Sequence, residues 1–110
     1  MYPWQKYFPE YLIPEKITDL VDAGLFKDGT QRGGLPNFST TFPDGSVLVI
    51  WVEHPNPNRR EYEDERYALA LQEPGDDIAT VLKSNDVFEI LAGIREVFAE
   101  KGGPQKLEGE

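Results

Sequence analysis

The sequence contains no cysteine, and a single histidine and a single methionine, in 110 residues. Without thiols there is no disulfide framework and no thiolate nucleophile. One imidazole also cannot supply the four nitrogen or sulfur ligands of a structural zinc site. A secreted domain of this size usually relies on disulfides, so a cytoplasmic setting is expected. Long apolar runs are missing too. The longest unbroken one, Val47 to Val52, falls far short of the ~20 residues a membrane-spanning helix needs. Met1 to Lys6 contain no apolar stretch of the kind a secretory leader carries, so none is expected at this end. Positive charge is in deficit, with 11 Lys and Arg against 20 Asp and Glu and a formal net charge of −9. That field repels phosphate backbones and anionic lipid surfaces, which argues against direct nucleic-acid binding and membrane association.

What is present is enough for one packed domain. Apolar residues make up 39% of the chain, including 6 Phe, 5 Tyr and 2 Trp, and the length lies near the commonest domain size. Five of those aromatics, Tyr2, Trp4, Tyr7, Phe8 and Tyr11, crowd into a proline-broken N-terminal stretch. Residues 1–13 therefore read as an extended aromatic arm packed on the domain, residues 14–101 as the domain, and 102–110 as a mobile tail with too little apolar content to pack.

The spacing predicts a helix beginning near Pro14, with that proline in its first turn, Ile17, Leu20, Val21 and Leu25 on its apolar side and Gly24 available to end it. Asn37 to Phe42 alternates Phe38, Thr40 and Phe42 with polar residues, the mark of a strand wetted on one face. Pro43-Asp44-Gly45 supplies a turn. Ser46 to His54 is apolar on both faces and is expected to be a central strand covered on both sides. Arg66 to Gln72 reads as a third strand. Residues 78–83 alternate as a fourth, although Ile78, Val81 and Leu82 would also suit a helix. Asp86 and Glu89 form a D-x-x-E variant of the capping box ahead of a stripe of Val87, Ile90, Leu91, Ile94, Val97 and Phe98. The sum is an α+β fold in the order α-β-β-β-(β)-α: an antiparallel sheet of three to four strands flanked by an N-terminal and a C-terminal helix in a two-layer sandwich.

Candidate chemistry is thin. His54, the only histidine, stands beside Glu53 and could serve as general base, with Glu53, Glu61 or Glu65 orienting it. No glycine-flanked serine accompanies it, and neighbours on a strand point to opposite faces. Arg59 and Arg60 have the fork geometry to clamp a carboxylate or phosphate. Glu61, Glu63, Asp64 and Glu65 offer oxygen ligands but lack the alternation and central glycine of a calcium loop, so no metal is expected. Pro43-Asp44 followed by Glu53 resembles the Pro-Asp then Asp/Glu-x-Lys pattern of metal-dependent nucleases. Pro55 stands where the lysine belongs, and the acidic charge opposes a DNA substrate. Gly29, Gly33 and Gly34 match neither a P-loop nor a dinucleotide fingerprint.

No catalytic constellation is complete and no cofactor is expected. The reading that follows is a small non-catalytic protein-binding or regulatory module with an acidic surface. It would contact another protein, or a second copy of itself, through Tyr2, Trp4, Tyr7, Phe8 and Tyr11 or through the acidic loop. The alternative is a small enzyme or small-ligand binder centred on His54, Glu53, Arg59 and Arg60.

Overall fold

A computed structural model of the chain describes residues 9–28, 36–60 and 64–102. Its five antiparallel strands follow one another in space as they do in sequence: β1 (Lys27–Asp28), β2 (Asn37–Thr41), β3 (Val47–Val52), β4 (Tyr67–Gln72) and β5 (Ala79–Ser84). Helix α1 (Glu15–Asp22) precedes the sheet and α2 (Val87–Lys101) follows it. Sequential antiparallel pairing needs only short connections, so each strand lies beside the one it follows. The fold is the expected α+β arrangement, with one strand more than the three to four predicted. The extra strand, β1, is two residues long, and pairs Lys27 with Ser39 and Asp28 with Phe38. So short a segment has no alternation to read.

The core is built on one face. Phe38, Ile50, Leu69 and Leu82 form a single cross-strand row from β2 to β5. Helix side chains Ile17, Ile90, Ile94 and Val97 pack into the same cluster with Phe38, Leu48, Ile50, Val52 and Leu69. Both helices therefore cover the same side of the sheet. Gly93 is what lets α2 approach this closely: a Cβ there would stand 3.0 Å from Leu69 Cδ2 and 3.2 Å from Leu82 Cδ2.

The second face differs from the sequence reading of β3. Val47, Val49 and Trp51 are only half-buried while Leu48, Ile50 and Val52 are fully buried. Unbroken apolarity along a strand does not require two covered faces, because large side chains shield one another across neighbouring strands. Strand β5 carries an irregularity: Leu69 faces Leu82 but Ala70 faces Thr80, which leaves Val81 unpaired and 46% exposed. The extra residue breaks the expected alternation of Ile78, Thr80 and Leu82, since Thr80 pairs with Ala70 on the face opposite Leu82.

The turn chemistry is as read. Gly45 has φ +92°, and the Asp44 carboxylate accepts the Ser46 backbone N–H at 2.8 Å. Gly24 lies just past α1 at φ +78°, and Gly102 caps α2 at φ +79°. Three local expectations need correction. Pro14 is the N-cap of α1, not part of its first turn, with φ −64° and ψ 148°. Residues Pro9–Tyr11, within the stretch read as extended, form a single 3-10 turn. The D-x-x-E pair also does not close reciprocally. Asp86 accepts from the Phe88 N–H, but Glu89 accepts the Ser84 hydroxyl at 2.5 Å, and the Asp86 N–H goes to Ser84 Oγ. The Ser84 hydroxyl thus stands between the two groups, accepting from the Asp86 N–H and donating to Glu89.

Candidate functional site

Strand β3 ends at Val52, and the chain then turns through a proline-rich loop. Asn56 shapes that loop: its side chain accepts the Asn58 N–H at 3.0 Å and opens a 3-10 turn, Pro57–Arg59. Asn56 also donates its own backbone N–H to His54 Nδ1 at 3.0 Å. An accepting Nδ1 carries no proton, so the neutral ring holds its proton on Nε2. That Nε2 is buried and makes no hydrogen bond among the described residues. Glu10 Oε1 lies 3.6 Å away, beyond hydrogen-bond length. The same Glu10 oxygen is 3.1 Å from an Arg59 terminal nitrogen. The Tyr11 ring stands edge-on to the imidazole at 5.2 Å between centroids. His54 as a whole is 9% exposed.

The four residues singled out from the sequence are thus neighbours along the chain with different tasks. Glu53 is 1% exposed, and its carboxylate accepts the His54 backbone N–H at 3.3 Å. That contact is with main chain. Arg60 is spent on architecture. Its Nε donates to the His54 carbonyl at 2.8 Å, and its terminal nitrogens donate to the carbonyls of Pro55 and Asp64 and to the Asn85 side chain. A guanidinium occupied by three backbone carbonyls is a clip between loops, not a ligand clamp. Arg59 is the contrast: its side chain is 58% exposed and it reaches Glu10.

Of the five aromatics proposed as protein contacts, Tyr2, Trp4, Tyr7 and Phe8 lie outside the described residues. Tyr11 is half-buried and packs against the core cluster. Its neighbour Leu12 behaves differently. It is 65% exposed and adopts φ +53°, a left-handed backbone that a branched aliphatic residue rarely takes. Arg66 holds it there, donating from one terminal nitrogen to the carbonyls of Tyr11 at 2.6 Å and Leu12 at 3.0 Å. Burial pushes the Arg66 guanidinium below its ordinary pKa and the Tyr67 phenol beside it above its own.

Phe88, 60% exposed in the first turn of α2, belongs to the same end of the molecule. The Asn85 side chain accepts the Arg66 backbone N–H at 2.9 Å. Lys16 of α1 carries its Nζ 5.8 Å from the centre of the Phe88 ring. Leu12 and Phe88, two exposed large apolar residues, are thus linked through Arg66 and Asn85, with the Lys16 ammonium beside the Phe88 ring, on a protein whose net charge is −9. Phe88 had a visible signal: it is the one large apolar residue of the helix off the Val87-Ile90-Leu91-Ile94 stripe. Glu10 and Asn85 had none, because their partners are remote in sequence.

In the acidic loop, Glu61 and Glu63 lie outside the described residues, as do Gly29, Gly33 and Gly34. Among the described residues no three His, Cys, Asp or Glu side chains gather as metal ligands, and no helix is long and apolar enough to cross a membrane. Comparison with protein-family models, characterised proteins and solved structures finds no match for the chain.

Proposed function

We propose that the protein is a small non-catalytic module of the cytoplasm that binds another protein through the corner formed by Leu12 and Phe88. The observation that carries this reading is Leu12 itself. Holding a leucine at φ +53° costs of order 1–3 kcal/mol, which Arg66 offsets through the Tyr11 and Leu12 carbonyls, and the residue so fixed is 65% exposed. A strained backbone that presents an apolar side chain to solvent makes sense when a partner covers it. Phe88 adds a large rigid anchor of the type that dominates interface energetics. The His54 corner supports catalysis less well, since Nδ1, Glu53 and Arg60 are all engaged with main chain.

The test is a quantitative comparison of proteins retained from cell extract by the wild type and by a Leu12→Ser/Phe88→Ser variant. A partner lost only from the variant is then purified and its affinity measured. A weakening of roughly 30-fold or more is expected, equivalent to about 2 kcal/mol for an apolar hot spot. Equal retention by both proteins, at equal melting temperature, refutes the proposal. Sedimentation of the purified protein distinguishes a second copy from a foreign partner.

A further inference from the structure

We infer that His54 and Arg59 form a binding site for a carboxylate, and that Glu10 occupies this site as an internal stand-in for an external acid. The imidazole is fixed from behind. Its Nδ1 accepts the Asn56 N–H at 3.0 Å, so the Nε2–H is the face it offers. That Nε2 is a buried polar atom with no hydrogen-bond partner among the described residues, on a residue only 9% exposed. A buried donor left unmatched is costly, and its presence marks a place where an acceptor belongs.

The acceptor at hand is one oxygen of Glu10, placed 3.1 Å from Arg59 and 3.6 Å from His54 Nε2. It satisfies the guanidinium and falls short of the imidazole. Tethering explains the mismatch. Glu10 sits within the Pro9–Tyr11 turn, whose position is set by Arg66 on the Tyr11 carbonyl and by the Tyr11 ring against His54. Its side chain is 64% exposed, so an untethered competitor can displace it from the solvent side. A free carboxylate can put one oxygen on Nε2–H and the other on the Arg59 fork, making two charge-assisted bonds where Glu10 makes one. Arg59 stands on the 3-10 turn that Asn56 organises, so the loop that fixes the imidazole also sets the guanidinium beside it.

This site uses neither Leu12 nor Phe88, so it stands or falls apart from the protein-binding corner. The chain has one histidine, which makes the ring C–H resonances of His54 an unambiguous reporter. The probe is sodium acetate, titrated at constant ionic strength against a chloride control, into the full chain and its Glu10→Gln variant. Glu10→Gln is expected to bind acetate with a saturable His54 shift and at least tenfold more tightly than the wild type. Adding Arg59→Gln to that variant is expected to weaken binding by at least tenfold. No saturable shift in Glu10→Gln, or an equal shift with Arg59→Gln present, overturns the inference. A second arm uses N-acetyl-glutamate amide. Tighter binding than acetate identifies an acidic side chain of a peptide as the source, and equal binding identifies a free acid. Leu12→Ser is expected to leave acetate binding unchanged.

Discussion

The ammonium of Lys101, on the last turn of α2, lies 2.7 Å from Glu73 Oε1 at the end of β4 and 2.9 Å from Asp44 Oδ2 in the β2–β3 turn. Ser46 completes the group: its hydroxyl is 2.5 Å from Asp44 Oδ1 and 3.1 Å from Glu73 Oε1. Three segments remote in sequence are fastened at the end of the sheet opposite His54. The Lys101 side chain is only 14% exposed, which gives this cluster more weight than an ordinary surface ion pair.

That cluster predicts how the protein responds to acid. The Ser46 hydroxyl first, then the Ser46 N–H and Lys101, lower the Asp44 pKa from 3.8 to about 2. Lys101, followed by Ser46, lowers Glu73 in the same direction. A depressed folded-state pKa means that the contribution to stability is complete above the ordinary carboxylate value and disappears as pH falls through the folded value. For Asp44 that window runs from about 4 down to about 2. Melting temperature measured across it should fall less steeply for Asp44→Asn than for the wild type. Parallel acid limbs would show that Asp44 carries none of the loss. Lys101 is raised, chiefly by Glu73, so its own contribution is present at neutral pH and lost only as strong alkali deprotonates it.

Gly45→Val should cost of order 1–3 kcal/mol, because φ +92° is closed to a β-branched residue. Pro74 Cγ also stands 3.4 Å from where the new Cβ would go. Urea unfolding measures the loss, and Gly45→Asn should lose less, since asparagine tolerates left-handed backbone. Equal midpoints for valine and wild type would contradict the turn geometry.

Two substitutions on one helix should differ sharply. Ile94 is 3% exposed against the sheet, so Ile94→Ala should cost about 2–5 kcal/mol through lost burial and the cavity left behind. Phe88 is 60% exposed, and Phe88→Ala should cost less than about 1 kcal/mol, mainly its contact with Lys16. Denaturant midpoints of the two variants are the measurement. A large loss at Phe88 would show that its ring serves the fold, not a partner.

The helices, the β2–β3 hairpin and the turns were legible because each rests on local rules. Gly24, Gly45 and Gly102 take the positive φ that their turn positions require. The stripe from Val87 to Phe98 follows helical period. Strand β1 was not legible, being two residues defined only by their partners Ser39 and Phe38. The capping of α2 was read half correctly, since Asp86 acts locally while Glu89 was captured by Ser84 from the neighbouring strand. At the candidate site, His54 and Arg59 were identified by residue type alone. Arg60 looked equivalent to Arg59 until the loop folded around it and used its donors on main chain.

By itself the sequence determined the class of protein: no thiol chemistry, one imidazole, a net charge of −9, and apolar patterns that specify two helices and a meander of strands. These follow from composition and from periods of 2 and 3.6 residues, which need no knowledge of distant contacts. Only the tertiary structure decided which charges are spent and which are offered. Glu10 reached Arg59 and His54 across more than forty residues of chain, and Arg66 bent Leu12 into a conformation its own side chain disfavours. Both depend on the β3–β4 loop meeting the Pro9–Tyr11 turn. That meeting is set by how α1 packs on the sheet, because the burial of Ile13 and Ile17 fixes the path of the residues immediately before them.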